Sequence, residues 1–179
     1  MAQERVRLTA PAGYDSAANP RVASFAAQLD DQLRLLKKRT AGLEVEQLEW
    51  QIRPGTNTIG MLLAHLAIVD LWWMHFAPRN PAPESTESGM RRIIGIGMDD
   101  DGLPVPAEGL HAKTLAGWTL QDYFRILDAA RAQTHRELSR WTDAGLADAF
   151  VLQGEEITYE WTAYHVLEHF AAHAGQIQL

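Results

Sequence analysis

Apolar residues recur every three or four positions in four stretches of the chain, which is the spacing of an amphipathic helix. The first stretch, from Asn19, carries Val22, Phe25, Leu29, Leu33 and Leu36; the second carries Ile59, Leu62, Leu63, Leu66, Val69 and Trp73; the third carries Tyr123, Leu127, Ala130, Thr134, Leu138 and Trp141; the fourth runs from Thr158 to the C-terminus. Four helices of about 18–25 residues favour a bundle.

Polar residues at the ends of these stretches predict where the helices begin and stop. Asn57 or Thr58 can cap the second helix, and Pro78 is expected to end it. Thr119–Asp122 resembles a capping box for the third helix, and Thr158 can cap the last.

The segments between the helices have a different composition. Residues 78–118 hold most of the prolines and the acidic run at 99–101. This composition predicts a lid or a long loop that covers the bundle, with a short helix near 88–96. Residues 150–157 predict a small hairpin around a glycine. We therefore expect an N-terminal lead-in over residues 1–18 and one all-α domain over 19–179, with a long connection between its second and third helices.

Composition excludes several classes of function. A net charge of −7 argues against a nucleic-acid surface, and the absence of cysteine removes disulfides, thiolate metal sites and a cysteine nucleophile. The N-terminus has no apolar signal region. The apolar stretch from Ile59 is interrupted by His65, Asp70 and His75, so it predicts a buried helix and no membrane span. These features suit a cytoplasmic protein.

Three of the seven histidines follow one another at a spacing of four residues near the C-terminus: His165, His169 and His173. That spacing places neighbouring imidazoles on one helical face, where two can share a metal ion. His165 and His173 are separated by about 12 Å along the axis, at 1.5 Å per residue. The pair is therefore His165/His169 or His169/His173, and the spacing leaves both open.

A third ligand must come from another helix, and His65 is the best candidate. It lies in mid-helix beside the apolar stripe, where a neutral imidazole needs a partner for each ring nitrogen. A metal on one nitrogen and an acceptor on the other would satisfy it. Three histidines with a vacant position predict a catalytic-type site for Zn²⁺ or Ni²⁺.

Other polar and aromatic residues have structural interpretations. His75, His111 and His135 are expected to face solvent, and Asp99–Asp101 is expected to form a solvated turn because it lacks the ligand spacing of a calcium loop. The tryptophans at 72, 73 and 161 are expected to fill core or interface space.

Two segments resemble the motifs of the DinB/YfiT-like superfamily. Residues 50–73, WQIRPGTNTIGMLLAHLAIVDLWW, are similar to its second-helix motif, and residues 169–177, HFAAHAGQI, to its closing HxxxHxGQI-type motif. The resemblance implies a four-helix bundle, often dimeric, and it maps three metal ligands onto His65, His169 and His173. It thereby selects one of the two pairs on the last helix.

Members of this superfamily with assigned activities are mostly thiol-dependent, including S-transferases for mycothiol and bacillithiol. The resemblance implies a metal-dependent transferase that joins a low-molecular-weight thiol to a small electrophile. His165 and Tyr164 are candidates for moving the proton, and Asp70, five residues after His65, is too far round the helix to be an expected ligand. The alternatives are a metal-dependent hydrolase and a non-enzymatic, stress-related interaction module.

Overall fold

The computed structural model describes residues 7–179, so residues 1–6 of the predicted lead-in lie outside it. The helices are α1 (Pro20–Thr40), α2 (Val45–Leu48), α3 (Ile59–Leu71), α4 (Pro83–Ile94), α5 (Leu120–Leu138) and α6 (Tyr159–Gln176), and the strands are β1 (Ala149–Leu152) and β2 (Glu155–Thr158). The predicted all-α, DinB-type fold is confirmed.

The four long helices pack against one another in a closed arrangement: α1 contacts α5 and α6, and α3 also contacts α5 and α6. The larger core lies between α3, α4 and α5, and a smaller one joins α1, α6 and the chain after α3. Ten of the thirteen residues of α3 are buried, so this helix has apolar neighbours on nearly every side.

The predicted caps are present. Thr58 accepts a hydrogen bond from the Met61 amide, and Thr158 accepts one from the Trp161 amide. Thr119 forms a capping box with Asp122. These side chains satisfy amide groups that a helix start leaves without partners, which fixes where α3, α5 and α6 begin.

The end of the second predicted helix differs from the expectation. The α-helix ends at Leu71, and the chain continues as a π-helical turn over Trp72–Phe76 and a 3₁₀ turn over Ala77–Arg79. Pro78 therefore lies inside the last helical turn. Ile59–Arg79 is long and apolar enough to cross a membrane, but 67% of its most apolar window is buried inside the protein, as in a core helix.

The connection between α3 and α5 contains more structure than predicted. Helix α4 begins at Pro83, five residues before the expected start, because proline is favoured in the first turn of a helix. Met90 and Ile94 of this helix are fully buried in the larger core. The predicted hairpin is confirmed, with Phe150 paired to Ile157.

Candidate metal centre

His65 is the half-buried polar position in the otherwise apolar middle of α3, and it faces α6. Its ring centre lies 5.1 Å from that of His169 and 5.1 Å from that of His173. On α6 the two histidines are one turn apart, with ring centres separated by 4.4 Å. The antiparallel contact of α3 and α6 thus brings His65 to a pair of imidazoles that lies about a hundred residues later in the chain.

The nitrogen atoms of this group have the arrangement of a metal donor set. One ring nitrogen of each histidine lies within 4.8 Å of the others. The Nε2 atoms of His169 and His173 are 3.2 Å apart. Two ligands of a tetrahedral zinc ion with Zn–N bonds of 2.0–2.1 Å are about 3.3 Å apart. The α6 pair therefore fits such an ion directly, and a ring nitrogen of His65 lies within 4.8 Å of both.

Hydrogen bonds on the far sides of the rings decide which nitrogens are free. Asp101 accepts a hydrogen bond from His65 Nδ1 at 2.8 Å, and Gln176 Oε1 accepts one from His173 Nδ1 at 2.8 Å. The Nε2 atoms of His65 and His173 are thereby the nitrogens left for a metal ion. An acceptor behind each ligating imidazole is the usual second layer of a metal site.

The electrostatics of the α6 pair favour neutral imidazoles. Burial, followed by the neighbouring imidazoles, lowers the pKa of His169 from 6.5 to about 3. Burial also lowers the pKa of His173, against the opposing hydrogen bond to Gln176. Neutral imidazole is the form that binds a metal ion, so the lowered pKa values of His169 and His173 favour metal binding.

His165 lies one turn before the pair, against an aromatic wall. Its ring stacks on Trp161 with centres 4.7 Å apart and planes inclined by 9°, and Trp73 meets its edge at 4.9 Å. The ring centre of His169 is 5.7 Å away. Burial lowers the pKa of His165, which favours the uncharged ring beside the triad.

Tyr164, the other candidate for proton movement, is not brought into this group. It lies on the outer surface of α6 with 55% of its area exposed. The next residue, His165, faces the triad. Successive residues of a helix point in directions about 100° apart, so Tyr164 points elsewhere. A role for Tyr164 stays a prediction.

An open cavity of about 440 Å³ adjoins the triad. It is lined by Asn57, His65 and the consecutive residues Leu103, Pro104 and Val105. This volume lies in the range of small-molecule sites. The predicted lid segment thus lines the same pocket as a candidate metal ligand.

Asp101 is the residue of the candidate site that sequence reasoning missed. The acidic run was expected to be a solvated turn, but the Asp101 side chain is only 2% exposed and holds His65. Asp99 alone in the run is exposed, and Asp100 pairs with Arg91. The clue in the sequence was that a mid-helix histidine needs an acceptor, but nothing in the spacing identified which one.

The expectation that three other histidines face solvent is wrong. His135 is hydrogen-bonded through both nitrogens, to Tyr14 and Asp30 at 2.8 Å each. The Nδ1 atom of His111 lies 2.8 Å from the Oγ1 atom of Thr58. Each ring is largely buried because it joins two segments of the chain.

His75, the third of these histidines, belongs to a buried polar cluster. It meets Glu137 at 2.7 Å, and Arg79 and Gln133 also donate hydrogen bonds to that carboxylate. Burial raises the pKa of Glu137, but the hydrogen bonds from Arg79 and His75 outweigh it, so the pKa lies below its usual value.

Asp70 also has a structural position, in agreement with the expectation that it is not a ligand. One carboxylate oxygen accepts a hydrogen bond from Arg131 Nε at 3.0 Å and the other accepts one from Thr134 Oγ1 at 2.6 Å. Both oxygens are thus directed to α5. The predicted packing role of the tryptophans holds in part, since Trp73 is half-buried but Trp161 is 42% exposed.

Comparison with known proteins gives one family match. The profile of the family described as mycothiol-S-transferase matches residues 24–179. No protein with a curated description matches the chain.

Solved structures share the fold. A conserved protein from Enterococcus faecalis superposes with a TM-score of 0.62 at 17% identity, covering 86% of this chain and 90% of its own. A DinB-like protein from Bacillus cereus superposes with a TM-score of 0.51 at 22% identity, covering 86% of each chain.

Proposed function

The chain belongs to the mycothiol-S-transferase family, and from this premise we propose that it is a metal-dependent transferase that joins a low-molecular-weight thiol to a small electrophile. The observation that carries the proposal is the convergence of His65, His169 and His173, with two of them 3.2 Å apart through Nε2. Three imidazoles around one point suit a borderline metal such as Zn²⁺ or Ni²⁺.

His65, His169 and His173 would hold the metal through Nε2. When bound, a divalent metal there would supply a positive charge that lowers the pKa of a thiol and favours the thiolate, the nucleophilic form. The absence of cysteine from the chain means that the sulfur must come from a separate molecule.

His165 would take up the proton that the thiol loses. Its neutral ring is positioned by Trp161 and lies one helical turn from His169. The sulfur–carbon bond then forms with the sulfur electron pair. In a substitution the leaving group departs with the electrons of the broken bond; in an addition, the proton held by His165 is available to the product.

The pocket beside His65 would hold the electrophile. Leu103 and Val105 give it an apolar wall, and Asn57 offers an amide for hydrogen bonding. A small, largely apolar electrophile with one polar group is the class of substrate that suits this lining.

The direct experiment measures conjugation of mycothiol, bacillithiol and glutathione to a panel of alkyl and aryl electrophiles by the protein loaded with Zn²⁺ or Ni²⁺. We expect turnover with at least one thiol and its loss in His169→Ala, together with loss of stoichiometric metal. His135→Gln is the matched control, because His135 is held by Tyr14 and Asp30 and not by the triad.

Two results would refute the proposal. Stoichiometric metal in His169→Ala would place the site elsewhere. Hydrolysis of esters or amides without added thiol, combined with no conjugation by any thiol, would favour a metal-dependent hydrolase. The cytoplasmic location and the homodimer implied by the superfamily resemblance stay predictions, and sedimentation velocity tests the homodimer.

A further inference from the structure

Asp101 lies between the candidate metal centre and the wall of the adjoining pocket. We infer that it is a positioning residue that couples metal occupancy to the seating of residues 103–105. The inference rests on the proposed function, because it assumes that His65 is a metal ligand. The inference goes beyond that function because it links the affinity for the metal to the binding of a molecule in the pocket.

The two oxygens of one buried carboxylate make the connection. Oδ2 accepts the hydrogen bond from His65 Nδ1 at 2.8 Å, and Oδ1 accepts one from the Leu103 amide at 3.0 Å. The Asp101 side chain is only 2% exposed, so water competes little for either oxygen. Leu103 begins the stretch that lines the 440 Å³ cavity.

The backbone between these groups is built for this contact. Gly102 has a φ of +72°, in the left-handed region that glycine adopts without strain. A side chain at this position would also meet Ala112, since an added Cβ would lie 2.9 Å from the Ala112 Cβ. The tight turn allows the Leu103 amide to reach back to the carboxylate two residues earlier.

This geometry predicts effects in both directions. Asp101 fixes the His65 tautomer with Nε2 toward the triad and makes that nitrogen a stronger donor. A metal on Nε2 would in turn strengthen the hydrogen bond to Asp101 and hold the loop against α3. Because coupling between two sites is reciprocal, a molecule that holds residues 103–105 in place would raise metal affinity by the same factor.

The test compares Zn²⁺ affinity in four proteins by competition with a chromophoric chelator at neutral pH. Asp101→Ala loses both hydrogen bonds, and we expect it to bind Zn²⁺ about 10–100-fold more weakly than the wild type. Asp101→Asn has one acceptor oxygen for two donors, so an intermediate loss is expected. Asp99→Asn removes the same charge from an exposed neighbour that does not contact His65, and its affinity should match the wild type.

Hydrogen exchange gives a second readout that general destabilisation would not imitate. Zn²⁺ should slow exchange of the amides of Gly102, Leu103 and Val105 in the wild type and in Asp99→Asn, but not in Asp101→Ala. Unfolding midpoints of the metal-free proteins show whether the variants fold. If Asp101→Ala does not fold, the Zn²⁺ affinity of Asp101→Asn tests the inference instead, because asparagine has the same shape as aspartate.

The possible failures are distinguishable. If the wild type binds no Zn²⁺ or Ni²⁺, the metal site itself is refuted and the inference with it. If the wild type binds Zn²⁺ and both Asp101 variants match it, the metal site stands and the role of Asp101 is refuted. Equal protection of the Gly102, Leu103 and Val105 amides by Zn²⁺ in Asp101→Ala would also refute the coupling.

Discussion

Replacement of Asp70 by alanine should destabilise the protein far more than replacement of an exposed carboxylate. The side chains of Asp70 and Arg131 are only 3% and 5% exposed. The terminal NH1 and NH2 groups of Arg131 have no hydrogen-bond partner among residues 7–179, and its guanidinium carbon lies 5.4 Å from the centre of the Phe170 ring. Asp70 is therefore the carboxylate that compensates a deeply buried positive charge.

The magnitude follows from what the substitution leaves behind. Removing one partner of a buried ion pair costs about 3–5 kcal/mol, because the remaining charge stays desolvated and uncompensated. Thr134 would also lose the acceptor of its 2.6 Å hydrogen bond. For a domain with a total stability of about 5–15 kcal/mol, this loss is a large fraction.

Urea unfolding followed by circular dichroism measures the effect. The matched control is Asp128→Ala, whose carboxylate pairs with Lys37 but is 59% exposed, and its cost should be below about 1 kcal/mol. The combination of Asp70→Leu with Arg131→Met should recover most of the stability, because it removes both charges. Metal content should not change in any folded variant, since both Asp70 oxygens bind groups on α5.

One result would refute this reasoning directly. If Asp70→Ala costs no more than Asp128→Ala, the buried guanidinium must have another source of compensation. If Asp70→Ala instead folds normally but loses its metal, Asp70 belongs to the metal centre and its structural assignment is wrong.

Three further predictions concern other parts of the molecule. Because the folded pKa of Glu137 lies below its usual 4.5, its contribution to stability should be complete above pH 4.5 and lost as the pH falls through the folded pKa. Glu137→Gln should therefore lose less stability than the wild type as the pH is lowered through this range. An identical dependence of unfolding free energy on pH in the two proteins would contradict the prediction. His165→Phe keeps an aromatic ring on the tryptophan but accepts no proton, so conjugation should fall about 100-fold or more at constant metal content, and full activity would exclude the role. Gly60→Ala should lower the free energy of unfolding in urea by about 1–3 kcal/mol, because the added Cβ would lie 2.4 Å from the hydroxyl oxygen of a buried tyrosine. The added Cβ of the control Gly175→Ala meets nothing within 4 Å, so this variant should be neutral or stabilising. Equal effects of the two substitutions would refute the packing argument.

The long helices and their starts were predictable because they depend on neighbouring residues. Helical spacing of apolar side chains identified α1, α3, α5 and α6, and Thr58, Thr119 and Thr158 act on amides within three residues of themselves. The histidine spacing on α6 was equally local, but it left two pairs open until the family resemblance selected one.

Contacts between distant segments were not predictable from local pattern. Asp101 looks like any acidic loop residue until the chain folds over α3 and places it 2.8 Å from His65. The same holds for His135, which the sequence could not connect to Asp30, 105 residues earlier.

The sequence by itself thus determined the helices and the histidines available for a metal, because periodicity and capping depend on residues within one or two turns. Tertiary structure alone decided which nitrogen of His65 faces the triad and which loop forms the wall of the pocket. The physical reason is that a polar side chain entering a core must find a hydrogen-bond partner, and any of several distant groups could satisfy it. Only the packing of the whole chain selects among them.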